Sequence, residues 1–386
     1  MTPERWQRIK EVFGAALDRP AGAERAAWLE RECGADSGLR AEVESLLAAH
    51  EQDDDFLSAP AAQLAARLIT GDDASSLQPG QTIASYRILS TLGEGGMGKV
   101  YLAQDTFLGR KVALKLLPAS FTDDAERVRR FEQEARAASA LNHPNILTIH
   151  EIGADGPLRF IATEFVEGET LRERLRGGPR PTHEVLDVGI QTAAALAAAH
   201  AARVVHRDVK PENLMIRPDG YVKVLDFGLA KPKGDGRSQR DTSDSDSLAR
   251  ALVNTRPGMV MGTCGYMSPE QTRGLEVDER TDIWSLGVVL YEMAAGRAPF
   301  EGPTASDVMA AVLNRDPRPL ARLSADVPAE LERIVMKALA KDREERYQTV
   351  KDLGIDLRRL KQRVEFEAEL RRARGRDGEG ADALAD

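Results

Sequence analysis

At 386 residues, with 42% apolar and 30% charged side chains, the chain can bury a substantial core and has the balance of a soluble globular protein. Its net charge of −9 offers no basic face, so no nucleic-acid partner is expected. Cys33 and Cys264 lie too far apart in sequence to suggest a disulfide framework, no stretch approaches ~18 consecutive apolar residues, and the start Met-Thr-Pro-Glu is not a signal peptide; a cytoplasmic chain without a membrane span is expected.

Residues 1–82 hold 15 acidic and 8 basic side chains, so most of the negative charge sits there. Thr2-Pro3 reads as an N-cap and first helical position, and Trp6, Ile9, Phe13 and Leu17 recur on one helix face. Pro20 to Gly22 breaks that helix. A second is expected over Glu24 to Cys33 with Trp28 and Leu29 inward, and a third carries Leu39, Val43, Leu46 and Leu47. Residues 1–50 thus form a small helical segment, and 51–82 a linker with a short helix at 57–69. The segment is either a stabilising appendage or a docking site for an unidentified partner, and both readings stay open.

From Tyr86 the pattern alternates, which predicts a strand running into Gly93-Glu-Gly-Gly-Met-Gly98 and a second strand from Val100. A glycine run between two strands, rather than between a strand and a helix, suits a lid whose backbone amides approach phosphate. Further strands turn at Phe107-Leu-Gly109 and end in Val112-Ala-Leu-Lys115, whose lysine could reach phosphate. A helix is expected from Asp123 to Leu141. It carries Glu134, nineteen residues after Lys115, where an ion pair would hold the lysine. An alanine-rich core helix is expected from Leu186 to Ala202.

The stretch His206-Arg-Asp-Val-Lys-Pro-Glu-Asn213 then presents a base (Asp208), a cation (Lys210) and a polar metal ligand (Asn213), and Asp226-Phe-Gly follows thirteen residues later. Phosphoryl transfer needs this set: a group to orient a hydroxyl, positive charge on the phosphates, and oxygen ligands for a divalent cation. A polar run from Gly234 to Ser247 precedes Gly262-Thr-Cys-Gly-Tyr-Met-Ser-Pro-Glu270. After about Leu360 the chain becomes a charged run, and 361–386 is expected to fray into disorder.

In this order the motifs resemble the eukaryotic-like serine/threonine protein kinases of bacteria, over roughly residues 83–360. The resemblance implies an α+β, two-lobed protein kinase fold, with a β-rich N-lobe and a mainly α-helical C-lobe, preceded by the small helical N-terminal segment. It implies transfer of the γ-phosphate of ATP to protein Ser/Thr hydroxyls, with Mg2+ or Mn2+ on Asn213 and Asp226. Catalysis would rest on Asp208, Lys210, Asn213, Lys115 and Glu134. ATP would meet Leu92, Gly93, Gly95, Gly96, Gly98, Val100, Ala113 and Lys115, and the backbones of Glu164 and Val166 beside the gatekeeper Thr163. Lys210 is the mark of a serine/threonine rather than a tyrosine kinase. His206 would pack beneath Phe227, Glu270 would pair with Arg346, and Asp282 would anchor the catalytic loop. Thr263 would sit where the substrate's neighbours are received. Arg207 would pair with a phosphorylated residue of the activation segment, for which Thr255 is the first candidate and Thr242 and Ser243 are others. The partners expected are protein substrates and a second copy of the chain, as a homodimer for trans-autophosphorylation.

Overall fold

The computed structural model describes residues 77–95, 98–117, 141–156, 158–227, 264–323 and 327–382, with positions 12, 16, 23–33, 36, 40, 129, 135–136 and 138–140 besides. It divides into two units, Met1–Leu77 and Gln78–Asp386. In the first, α1 (Ala23–Cys33) buries Leu29 and Cys33, with Trp28 half-buried, in the register the sequence predicts. Val12 and Ala16, four residues apart and helical, are buried as well. The other apolar positions predicted for this segment, from Trp6 to Leu47 and through 57–69, lie outside the described residues.

The second unit takes in residues 78–81, because the Gly80 N–H donates to the Ile88 carbonyl at 2.9 Å and the Ile88 N–H to Gln81 at 2.8 Å. Its first lobe is one antiparallel sheet of β1 (Thr82–Ile83), β2 (Tyr86–Gly95), β3 (Gly98–Asp105), β4 (Lys111–Leu116), β5 (Ile149–Asp155) and β6 (Leu158–Glu164), ordered β1-β2-β3-β4-β6-β5. Strand alternation sorts the side chains by face. In β4, Val112, Leu114 and Leu116 are buried, while Ala113 and Lys115 share the less buried face. Gly95 pairs with Gly98, so the glycine run is the tip of a β2–β3 hairpin, and two register shifts in β2 bend it.

The second lobe is mainly helical. A small sheet of β7 (Glu169–Thr170), β8 (Leu214–Ile216) and β9 (Val222–Val224) lies among α2 (Leu171–Leu175), α3 (Thr182–Ala201), α4 (Pro269–Thr272), α5 (Arg280–Ala295), α6 (Ala305–Asn314), α7 (Ala329–Ala338) and α8 (Val350–Asp382). The α3 helix starts four residues before the predicted Leu186. Its first turn, Thr182-His-Glu, is polar and escapes apolar periodicity, and Glu184 holds it by pairing with Arg180 at 2.8 Å and with Arg174. Past Leu360 the helical backbone of α8 continues to Asp382, with Lys361 reaching Asp187 at 2.5 Å and Glu365 at 3.6 Å.

The axis of this lobe is α5, every residue of which from Thr281 to Ala294 is buried. A helix apolar on all sides belongs inside a large core. Gly287 lets α7 come close, since a Cβ there would stand 2.9 Å from the Ala338 Cβ. Gly296 ends the helix at φ 72°, a left-handed cap that returns its N–H to the Glu292 carbonyl. Trp284 stacks on Phe300 at 5.4 Å, and Lys341 and Arg346 lie over its ring at 4.8 and 5.1 Å.

Arg346 also makes two hydrogen bonds to Glu270 at the start of α4, at 2.6 and 2.8 Å, both side chains being almost wholly buried. Burial alone would raise the Glu270 pKa, but the Arg346 guanidinium outweighs it and holds the carboxyl below the ordinary 4.5. Arg346→Met, which strands that carboxylate, is expected to cost about 3–5 kcal/mol in urea unfolding. Because the folded pKa is depressed, the pair's contribution is complete above 4.5 and lost as pH falls through the folded value. The acid-side decline in stability should therefore be shallower in Glu270→Gln than in the wild type.

Candidate active site

The cleft face of the sheet carries the first group of predicted residues. Gly93 pairs with Val100, Val100 with Lys115, and Ala113 with Thr163, so these positions form two rows, two residues apart on β4. Leu92 is exposed at the rim, 46% accessible. Thr163 directs its hydroxyl at the Ala113 carbonyl (3.4 Å) and its own strand's Glu164 carbonyl (3.3 Å). Val166 is buried just beyond β6. Gly96, Glu134, Thr242, Ser243, Thr255 and Thr263 lie outside the described residues. The described partner of Lys115 is Asp226, whose Oδ2 is 2.8 Å from Nζ.

The stretch from His206 to Asn213 folds tightly on itself. Lys210 Nζ lies 2.8 Å from Asp208 Oδ2. Asn213 Nδ2 donates to the Asp208 carbonyl at 2.8 Å and to Oδ2 at 3.1 Å. With its nitrogen thus engaged, Asn213 presents Oδ1 as the amide atom for a cation. The Leu225 N–H donates to the Asn213 carbonyl at 2.8 Å, which ties the residue before Asp226 to the same loop. Asp226 itself has φ 49°, in the left-handed region that few non-glycine residues occupy. One carboxylate and one amide oxygen form a hard donor set, which fits a magnesium-type ion that keeps water and takes its remaining ligands from phosphates.

One carboxylate holds this loop in place. Asp282, fully buried on α5, accepts the N–H groups of His206 and Arg207, each at 2.8 Å, and faces His200 Nε2 at 2.7 Å. Arg207 pays for the two converging amides with φ 65°. His206 packs on Phe227 with centroids 4.7 Å apart, as expected, and contacts the Leu225 carbonyl through Nε2 and the Asp208 N–H through Nδ1. Those two partners place the ring proton on Nε2.

Two groupings were not found by sequence reasoning. Arg172 on α2 reaches Glu212 and Glu292 at 2.7 Å each and also Tyr266, whose hydroxyl donates to Glu292. Burial pushes the Arg172 pKa down, but the two carboxylates and Tyr266 more than reverse it, so this guanidinium is a fixed charge. It joins the catalytic loop to the segment around Tyr266 and to α5. The second is Lys223 on β9, which pairs with Glu164 at 2.7 Å. Neither leaves a local signal, because the partners are 26 to 120 residues apart. Ser268, by contrast, has an ordinary explanation: it caps α4 in a capping box with Gln271, whose Nε2 donates to the Arg207 carbonyl at 2.9 Å.

Asp282→Asn sets an amide nitrogen against at least one of the three donors. Stability is expected to fall by about 1–3 kcal/mol. Hydrogen exchange at the amides of His206 and Arg207 should accelerate while β3 and β4 keep their protection.

The protein kinase domain family model matches residues 86–353. The chain is 39% identical over 274 residues to the serine/threonine-protein kinase PrkC of Bacillus subtilis, covering 71% of this chain and 40% of that protein. It is 40% identical over 280 residues to PknB of Mycobacterium leprae, covering 71% and 43%. Against pkn3 of Myxococcus xanthus it is 42% identical over 273 residues, covering 68% and 48%. The chain thus spans less than half the length of these relatives. Among solved structures, the kinase domain of Mycobacterium tuberculosis PknI superposes with a TM-score of 0.56 at 27% identity, over 74% of this chain and 99% of that one.

Proposed function

Since this chain belongs to the protein kinase domain family, we propose that it transfers the γ-phosphate of ATP to serine or threonine hydroxyls of proteins. The observation that carries this reading is the convergence of Asp208, Lys210 and Asn213 within 3.1 Å of one another, tied through Leu225 to Asp226 and hence to Lys115. A pseudokinase would lack one or more of these groups.

Asp208 accepts or orients the proton of the incoming hydroxyl. Its Oδ2 already receives Lys210 and Asn213, so the carboxylate is held in one rotamer for that task. Lys210 brings positive charge to the same point, where charge develops on the transferred group. Lys115 supplies a second cation for the α- and β-phosphates, held in the cleft by Asp226. Magnesium or manganese, when bound at Asn213 and Asp226, neutralises phosphate charge. The β2–β3 hairpin tip covers the phosphates and excludes water. The Glu164 and Val166 backbones read the adenine edge, and Thr263 steadies the substrate near Lys210. The Tyr266 and Glu270 segment, fixed from below by Arg172 and Arg346, is the platform for a polypeptide rather than a small-molecule acceptor.

With labelled ATP, a divalent cation and a generic basic protein as acceptor, the wild type should label serine and threonine. Asp208→Asn should lower kcat by roughly 10²–10⁴-fold with little change in the KM for ATP. Equal transfer by wild type and Asp208→Asn would overturn the reading.

We also propose that the chain phosphorylates its own activation segment within a homodimer, with Thr255 as the site and Arg207 as the phosphate's partner. Thr255→Ala should then lose one phosphopeptide and several-fold in activity. An unchanged phosphopeptide map at full activity would remove Thr255 from this role.

A further inference from the structure

Lys223 stands between Val222 and Val224, both fully buried, in a strand where a lysine is expected to turn to water. It is 8% exposed instead. Its ammonium donates to Glu164 Oε1 at 2.7 Å and to the Ile146 carbonyl at 3.3 Å. The same Glu164 oxygen accepts the Thr148 N–H at 2.7 Å, and the Glu164 N–H returns to the Thr148 carbonyl at 2.9 Å. Burial raises the Glu164 pKa, but Lys223 and Thr148 outweigh that and leave it below the ordinary value, so Glu164 is an anion.

The surroundings make this pair a joint between lobes. The Asn145 side chain donates to the Val222 carbonyl at 2.8 Å, the Val224 N–H to the Asn145 carbonyl at 2.8 Å, and the Leu147 N–H to the Val224 carbonyl at 3.0 Å. Residues 145–148 are therefore bonded to β9 on one side and to the last residue of β6 on the other. A buried ion pair adds little net stability, because desolvating both charges consumes most of the Coulomb gain. What it does fix is geometry. Here it relates two points: the end of β6, where the adenine edge is read, and Lys223, three residues before Asp226.

The base and the triphosphate are the two ends of one ligand. We propose that the Lys223–Glu164 pair is a positioning device that sets the span between the end of β6 and Asp226 to the length of a nucleoside triphosphate. The inference rests on the kinase reading above and deepens it. Lys223 and Glu164 act through the backbone on either side of them, and the Glu164 carboxylate is turned away from the ligand toward Thr148 and Lys223.

A ligand that touches both ends should depend on the pair, and one that touches a single end should not. The test is calorimetric binding of two probes, magnesium β,γ-imido-ATP and adenosine, to the full chain. In Lys223→Met the magnesium nucleotide is expected to weaken roughly fivefold or more, a typical coupling between two sites. Adenosine should stay within about twofold of wild type, well under that coupling. Lys223→Arg, which keeps the charge, should restore the triphosphate. Should Lys223→Met fail to fold, Lys223→Gln carries the comparison, since it removes the charge and keeps a hydrogen-bond donor at that position. Equal weakening of both probes, or no weakening of either, overturns the proposal. A wild type that does not bind the magnesium nucleotide at all sinks the kinase reading itself, which is a different result.

Discussion

The loop that begins at His206 hangs from one buried carboxylate. Asp282 has no access to water, so its oxygens must find donors inside the protein. They find two consecutive backbone N–H groups, His206 and Arg207, and the His200 ring. Two amides can converge on one carboxylate only if the chain turns sharply, and Arg207 takes the left-handed conformation to do it. That turn sends Asp208 outward while Val209 is buried completely. The chemistry is thus aimed by a residue that touches none of it.

Asp282 can do this because α5 is packed into the core from Thr281 to Ala294. The helix is covered on every side, and its first two turns also receive the segment on which a protein substrate would lie. Thr281 Oγ1 donates to Ser268 Oγ at 2.7 Å, and Ser285 Oγ to the Tyr266 carbonyl at 2.9 Å. Glu292, two turns later, takes Arg172 and Tyr266. The His206–Asn213 loop and the Tyr266–Glu270 segment therefore share one support, joined by a few hydrogen bonds.

How much of this the sequence disclosed follows from distance along the chain. His206 to Asn213 is eight residues, and its internal contacts join positions at most five apart, so spacing alone conveyed its geometry. The sheet was legible through alternation and most of α3 through its apolar character, whereas α5 was reached by resemblance. The Glu270–Arg346 pair was reached only by resemblance, since nothing local links residues 76 apart. Lys223 was invisible because Val-Lys-Val reads as an edge pattern, and its burial is created by Glu164 from the other lobe. Arg172 and Glu212 carry no local signal for the same reason. The start of α3 was missed because its first turn is held by ion pairs, to which hydrophobic periodicity is blind.

The completeness of α5's burial has a further meaning for how the chain is made. The elements that cover it, α3 on one side and α7 and α8 on the other, are not all available when it leaves the ribosome. Leu331, Ile334, Val335 and Ala338 of α7, and Leu353 and Leu357 of α8, are synthesised only afterwards. At about 5–20 residues per second, the axis of the lobe waits seconds with apolar surface uncovered. The α8 helix, made after the rest of this core, is thus what closes it, and nascent chains cut short before Val350 are expected to present a sticky helix to chaperones and proteases.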